Sequence, residues 1–163
     1  MQPVVLRKTS DTSRSSTTTQ TADPHLQFTA EAGAVYAWHG WIRYDAATGG
    51  DLIIAFSAPT GSLGGWGGHG VGVLVIGANT TPTLETDTVR ADGYMLRVEA
   101  NDVTQFRTYG GLGVGNGMSL FINGTLRVGP TGGTWALTWS QSVSNATATT
   151  LFTDSYISLQ RIA

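Results

Sequence analysis

The sequence predicts an all-β protein: an antiparallel β-sandwich or jelly-roll-like barrel with an extended N-terminal arm. Three observations carry that expectation. The 163 residues include 24 threonines and 22 glycines; threonine is β-branched and favours strands, and glycine supplies tight turns. Strong helix formers are scarce, with Lys8 the only lysine and Glu31, Glu85 and Glu99 the only glutamates, so helical bundles and coiled coils are excluded. Apolar residues recur at period two in short segments separated by turn signals, the mark of half-buried strands.

The length makes one core, and a chain of this size buries enough surface to fold without staples. None is on offer, because there is no cysteine. Charged residues are 12% of the chain and the net charge is −2. A nucleic-acid binder needs a basic face to release phosphate counterions, and an electrostatic membrane binder needs one too. Both are excluded. No apolar run approaches a membrane span and no basic leader precedes an apolar segment, so the expectation is a protein made in the cytoplasm.

Residues 9–24 are almost wholly hydroxylic and polar, and they read as a linker. The expected division is an arm over 1–24 and a β-domain over 25–163. In the arm, Val4, Val5 and Leu6 have no apolar neighbours until Leu26. They are expected to add as an edge strand or to be captured by a neighbouring molecule. Arg7, Lys8 and Arg14 then suit an acidic patch on that partner. On this reading, deleting residues 1–14 leaves the β-domain folded.

From His25 onward strands and turns alternate. Leu26 and Phe28 open the first strand. Tyr36, Trp38, Ile42 and Tyr44 form one apolar face over residues 34–44, with Trp41 on the other. Residues 51–58 are a continuous apolar run that fits a strand covered on both faces. Residues 61–70 read as a glycine loop, and 71–76 as a strand. Asp92-Gly93 signals a hairpin before Tyr94 to Val98. A second glycine loop is expected over 110–117. Leu120, Ile122, Leu126 and Val128 share a face, with Asn123-Gly124 a candidate turn among them. Trp135, Leu137 and Trp139 point one way along residues 134–141 and are expected to pack against Tyr36, Trp38 and Ile42. Residues 155–162 make the last strand.

The residues offer little chemistry. Residues 65–70 match Gly-x-Gly-x-x-Gly, but a dinucleotide site needs a following helix and here a strand follows. His25, His39 and His69 lack metal-ligand spacing. The acidic residues lie mostly at turns. No cofactor, metal or catalytic residue is expected, and the protein is not expected to be an enzyme. Trp41, on the outward parity, and Trp66 and His69, in the glycine segment, are the candidate surface anchors.

Two stretches carry a resemblance. One holds Leu6-Arg7-Lys8-Thr9-Ser10-Asp11, the serine and threonine run from Ser15 to Thr19, Asp23-Pro24-His25-Leu26-Gln27-Phe28, and Ala55-Phe56-Ser57-Ala58-Pro59-Thr60-Gly61. The other runs from Leu137 through Trp139, Gln141 and Asn145 to Leu151, with Ser155-Tyr156 behind it. Their order resembles the small β-sandwiches of tailed-bacteriophage structural proteins, of the capsid decoration, head-fibre and minor tail types. The resemblance implies a non-enzymatic virion protein, often trimeric, whose partners are the major capsid protein and copies of itself. It favours a decoration protein on the capsid surface; the alternative is a tail or fibre component that binds host-surface glycans.

Overall fold

The computed structural model describes residues 2–75, 94–97 and 100–163, with 73–75, 94–97 and 100 described by backbone only. Thirteen strands occur among them, and no helix. In chain order they are β1 (Val4–Arg7), β2 (Thr12–Arg14), β3 (Thr21–Ala30), β4 (Val35–Asp45), β5 (Leu52–Ser57), β6 (Leu63–Val75) and β7 (Tyr94–Arg97). Then come β8 (Ala100–Asp102), β9 (Arg107–Tyr109), β10 (Met118–Arg127), β11 (Gly133–Gln141), β12 (Thr149–Leu151) and β13 (Tyr156–Arg161). They form a nine-stranded sheet ordered β1-β13-β4-β10-β6-β7 and a four-stranded sheet ordered β3-β11-β5-β9. In the larger sheet β12 joins β2 and β4, and β8 joins β6. Every pairing is antiparallel. The expected antiparallel sandwich is the fold.

The two sheets meet over aromatic rings. Trp38 of β4 lies 4.8 Å from Phe56 of β5 and 5.3 Å from Trp135 of β11. Phe56 stacks on Trp135 at 4.9 Å, and Trp66 meets Phe56 edge-on at 5.2 Å. Offset and edge-to-face pairs of this kind add to what burial alone contributes. Trp135, Leu137 and Trp139 are buried with Tyr36, Trp38 and Ile42, as their shared parity requires.

Three segments differ from the sequence expectation. Residues 61–70 are not a loop. Leu63 to Val75 is one strand, paired with β10 on one side and with β7 and β8 on the other. Its inward positions are Trp66, Gly68, Gly70 and Gly72, all buried. A Cβ on Gly68 would stand 2.2 Å from the Tyr109 hydroxyl, and one on Gly70 would stand 2.9 Å from the same ring. Glycine is therefore a packing choice here, which leaves room for a tyrosine. Asn123-Gly124 is not a turn but the middle of the ten-residue β10. A Cβ on Gly124 would meet the Trp38 ring at 2.6 Å. Residues 110–117 do form the expected loop, with Gly113 and Gly115 at positive φ. Of the remaining expectations, Ile76, Asp92-Gly93 and Val98 lie outside the described residues.

The N-terminal segment is extended, but it lies along its own sandwich. β1 pairs with β13, β2 with β12, and the expected division at 24/25 falls inside β3. Both outer ribbons break at the same level. Between β1 and β2 the chain turns Lys8 inward; Lys8 N donates to Ser155 O at 2.8 Å and Asp154 N donates to Lys8 O at 3.0 Å. Ser155 sits in the gap between β12 and β13.

Candidate functional site

Two groupings of polar and aromatic side chains stand out, one inside the sandwich and one on it.

The inner one begins at a bulge. Ala136 pairs with Gln27 and Thr138 with Ala22, so β3 carries extra residues around Pro24. Proline within a sheet is at home in such an irregularity. The bulge turns Asp23 inward, and Asp23 Oδ1 accepts from His25 N at 3.0 Å. Asp23 Oδ2 accepts from Lys8 Nζ at 2.7 Å and from the Trp139 indole Nε1 at 3.2 Å. Lys8 Nζ also donates to Thr12 Oγ1 at 2.8 Å. Lys8 and Asp23 have no exposed surface. The Arg14 guanidinium covers the Trp139 ring at 3.9 Å and donates to the carbonyls of Trp139, Thr21 and Ala22. Burial holds the Arg14 pKa below its usual value, with nearby Asp23 opposing. Alongside, buried Gln141 accepts from Asn145 N at 3.0 Å and donates to Thr147 O at 2.8 Å, ordering the turn before β12. These groups are engaged with one another inside the sandwich.

The outer grouping lies on the solvent face of the nine-stranded sheet. Register places Trp41 of β4 opposite Phe121 of β10, and Phe121 opposite His69 of β6. On the other side Trp41 faces Tyr156 of β13. Four rings thus cross the sheet in one row. Phe121 is 59% exposed, an unusual position for a large apolar ring. Beside Trp41 along β4, the Arg43 guanidinium sits 5.7 Å from both the Trp41 and Phe152 rings, within cation–π range. Beside the row, Gly65 and Gly67 floor a hollow of about 640 Å³ walled by His69, Asn123 and Thr125.

The candidate residues divide accordingly. Trp41 and His69 are surface residues, and the sheet brings them to either side of Phe121. Trp66 is not an anchor: it is 2% exposed, and its indole donates to Gln105 O at 3.2 Å. Its parity on β6 directs it between the sheets. Lys8 and Arg14 are not free to meet a partner, for the reasons above. Arg7 pairs with Asp154 on the surface. Leu6 packs half-buried against the core, while Val4 and Val5 remain 43% and 61% exposed on β1. Phe121 and Arg43 escaped the sequence reading. Phe121 breaks the alternation that marks Leu120 and Ile122 as inward, and that outward phenylalanine was the available signal.

Among the described residues no three His, Asp or Glu side chains gather as a metal site. No helix there is long and apolar enough to cross a membrane.

No protein-family model matches the chain, and no curated protein matches it. Among solved structures it is similar to the infectious bursal disease virus VP2 subviral particle at 12% identity and a TM-score of 0.21. That alignment spans 99% of this chain and 42% of the other. The structure of the infectious bursal disease virus Gt strain aligns at 13% identity and a TM-score of 0.22, over 98% of this chain and 40% of the other. The chain spans less than half the length of those it matches. What the chain does is therefore read from its own residues.

Proposed function

We propose that the protein is a non-enzymatic structural component of a bacteriophage virion, a decoration protein that seats on the major capsid lattice. The resemblance of residues 6–28, 55–61 and 137–156 to phage virion β-sandwiches supports this reading, and so does one feature of the fold. β1 closes one edge of the nine-stranded sheet, where Val4 and Val5 stand exposed and no further strand among the described residues pairs with it. An uncovered apolar edge is a template for strand addition from another chain. Behind it, the buried Lys8 to Asp23 pair anchors the ribbon that carries the edge. The occupants proposed for this edge are the capsid protein and copies of the chain itself, arranged as the trimer that the resemblance implies.

The test is binding of labelled protein to emptied phage capsids prepared without it. Val5 points outward from β1, so Val5→Lys keeps the fold while placing a charge on the edge. Full occupancy by the native protein and loss of decoration by Val5→Lys are expected. Unchanged decoration by the variant, or native protein that ignores capsids and labels host cells, overturns the reading.

A further inference from the structure

Beyond any attachment through the β1 edge, a second surface stands out, the solvent face of the larger sheet. Three hollows line up along the outward side of β10. The first, of about 210 Å³, lies at Arg43, Trp41 and Ser119. The glycine-floored hollow follows at Asn123 and Thr125. The third, again about 210 Å³, lies at Thr125 and Arg127. From Ser119 to Arg127 the strand runs about 27 Å, at roughly 3.4 Å per residue. Phe121 stands up between the first hollow and the second.

The charges along this lane are one-sided. The sequences of β4, β10 and β6 hold a single acidic residue, Asp45. It is buried at the end of β4, with Oδ2 accepting from Gly115 N at 2.7 Å. Arg43 stands at one end of the lane and Arg127 at the other, both exposed, and neither forms an ion pair with a described residue. Among the described residues, the acids at the margins include Asp154, which is engaged by Arg7, and Asp102, which lies across the β6–β8 pair from Gly65. A protein with a net charge of −2 thus keeps an arginine at each end of its most aromatic surface.

We propose that this lane binds a linear acidic saccharide. Sugar rings offer an apolar face for stacking on Trp41 and Phe121, as flat ligands do on aromatic platforms. Ring hydroxyls find His69, Asn123 and Thr125, whose side chains carry hydrogen-bonding groups. Carboxylates along the saccharide meet Arg43 and Arg127, whose planar guanidinium groups suit them. The absent side chains at Gly65 and Gly67 leave depth for a ring. An added peptide strand has no place here, because β4, β10 and β6 are already hydrogen-bonded to neighbours on both sides.

The test is calorimetric titration of the full chain with hexamers of galacturonate, guluronate, hyaluronate and polysialate, and with maltohexaose and cellohexaose as neutral comparators. At least one acidic hexamer is expected to bind, more weakly as salt is added. Phe121→Ala should weaken that binding by about tenfold or more, the loss typical of a stacking anchor. Arg43→Gln with Arg127→Gln should erase the preference for acidic over neutral chains. All three side chains are exposed, and unchanged melting of each variant checks the fold. The proposal is overturned if no acidic hexamer binds at about millimolar concentration, if a neutral one binds equally well, or if Phe121→Ala has no effect. Capsid attachment lost by Phe121→Ala with no saccharide bound likewise overturns it, and makes the lane a protein contact.

Discussion

A lysine and an aspartate with no exposed surface persist only because each supplies what the other lacks. Lys8 donates to Asp23 and Thr12, and Asp23 also takes the Trp139 indole and His25 N. The Coulomb gain of such a pair roughly offsets its desolvation, whereas a survivor left alone keeps the whole penalty. Lys8→Met should therefore cost about 3–5 kcal/mol in urea unfolding. Lys8→Met with Asp23→Leu should recover only part of that loss, because the Trp139 indole and His25 N then lose their acceptor, and a double variant no better than the single one would mean the pair itself stabilises. Trp139→Ala, at the same centre, should cost about 3–5 kcal/mol. Asp51 behaves differently. Burial raises its pKa above the usual aspartate value, with a hydrogen bond from Gly111 N opposing. A raised folded pKa means that the folded state binds more protons, so stability falls as pH rises from the unfolded carboxyl pKa through the folded one. Asn tolerates the positive φ of 47° at this position and still accepts from Gly111. Asp51→Asn should flatten that acid-side decline and raise stability at pH 7 by no more than about 1 kcal/mol, because the group is partly solvated. Melting temperature measured across pH 3 to about 7 decides the point, and a steeper decline in the variant would contradict it.

At the scale of the element, β6 shows why sequence pattern stops short. Glycine is a poor strand former by propensity, and six glycines among its thirteen residues read as a loop. The tertiary need decides otherwise, since Gly68 and Gly70 make room for the Tyr109 ring. Gly68→Ala should destabilise by about 1–3 kcal/mol through overpacking. Tyr109→Phe in the same chain removes the atom nearest the new methyl and should restore part of the loss; no recovery would place the strain elsewhere. The strands that were legible are those with clean alternation: β4, β10, β11 and β13 follow from Trp38, Leu120, Trp135 and Ile157 and their neighbours at i±2. The short β2, β9 and β12 carry three residues each and no periodic signal. Of the outer site, Trp41 was legible from parity and His69 from its polar character. Their meeting at Phe121 was not, because it depends on the register of β4 and β6 against β10. Lys8 misled for a related reason: a basic residue in a hydroxylic stretch looks solvated until Asp23 is seen turned inward by the β3 bulge.

For the whole molecule, the expected consequence is that the N-terminal segment unfolds together with the domain it pairs with. β1 and β2 cover β13 and β12, so the first strands lie against the last. The polar interior that ties them involves Lys8, Asp23, Trp139, Gln141 and Ser155. Deletion then has a steep dependence on where it ends. Removing residues 1–5 takes away exposed edge and should leave a single unfolding transition close to that of the intact chain. Removing residues 1–14 strips Asp23 of its cation, bares the Trp139 ring and leaves β12 and β13 paired on the β4 side alone. The buried aspartate alone costs about 3–5 kcal/mol, against a total stability of roughly 5–15 kcal/mol for a typical domain. The longer deletion should melt far below the intact protein or fail to fold, followed by tryptophan fluorescence and circular dichroism. If it melts with the same midpoint as the full chain, the segment is a separable arm after all, and the buried pair adds nothing to the fold.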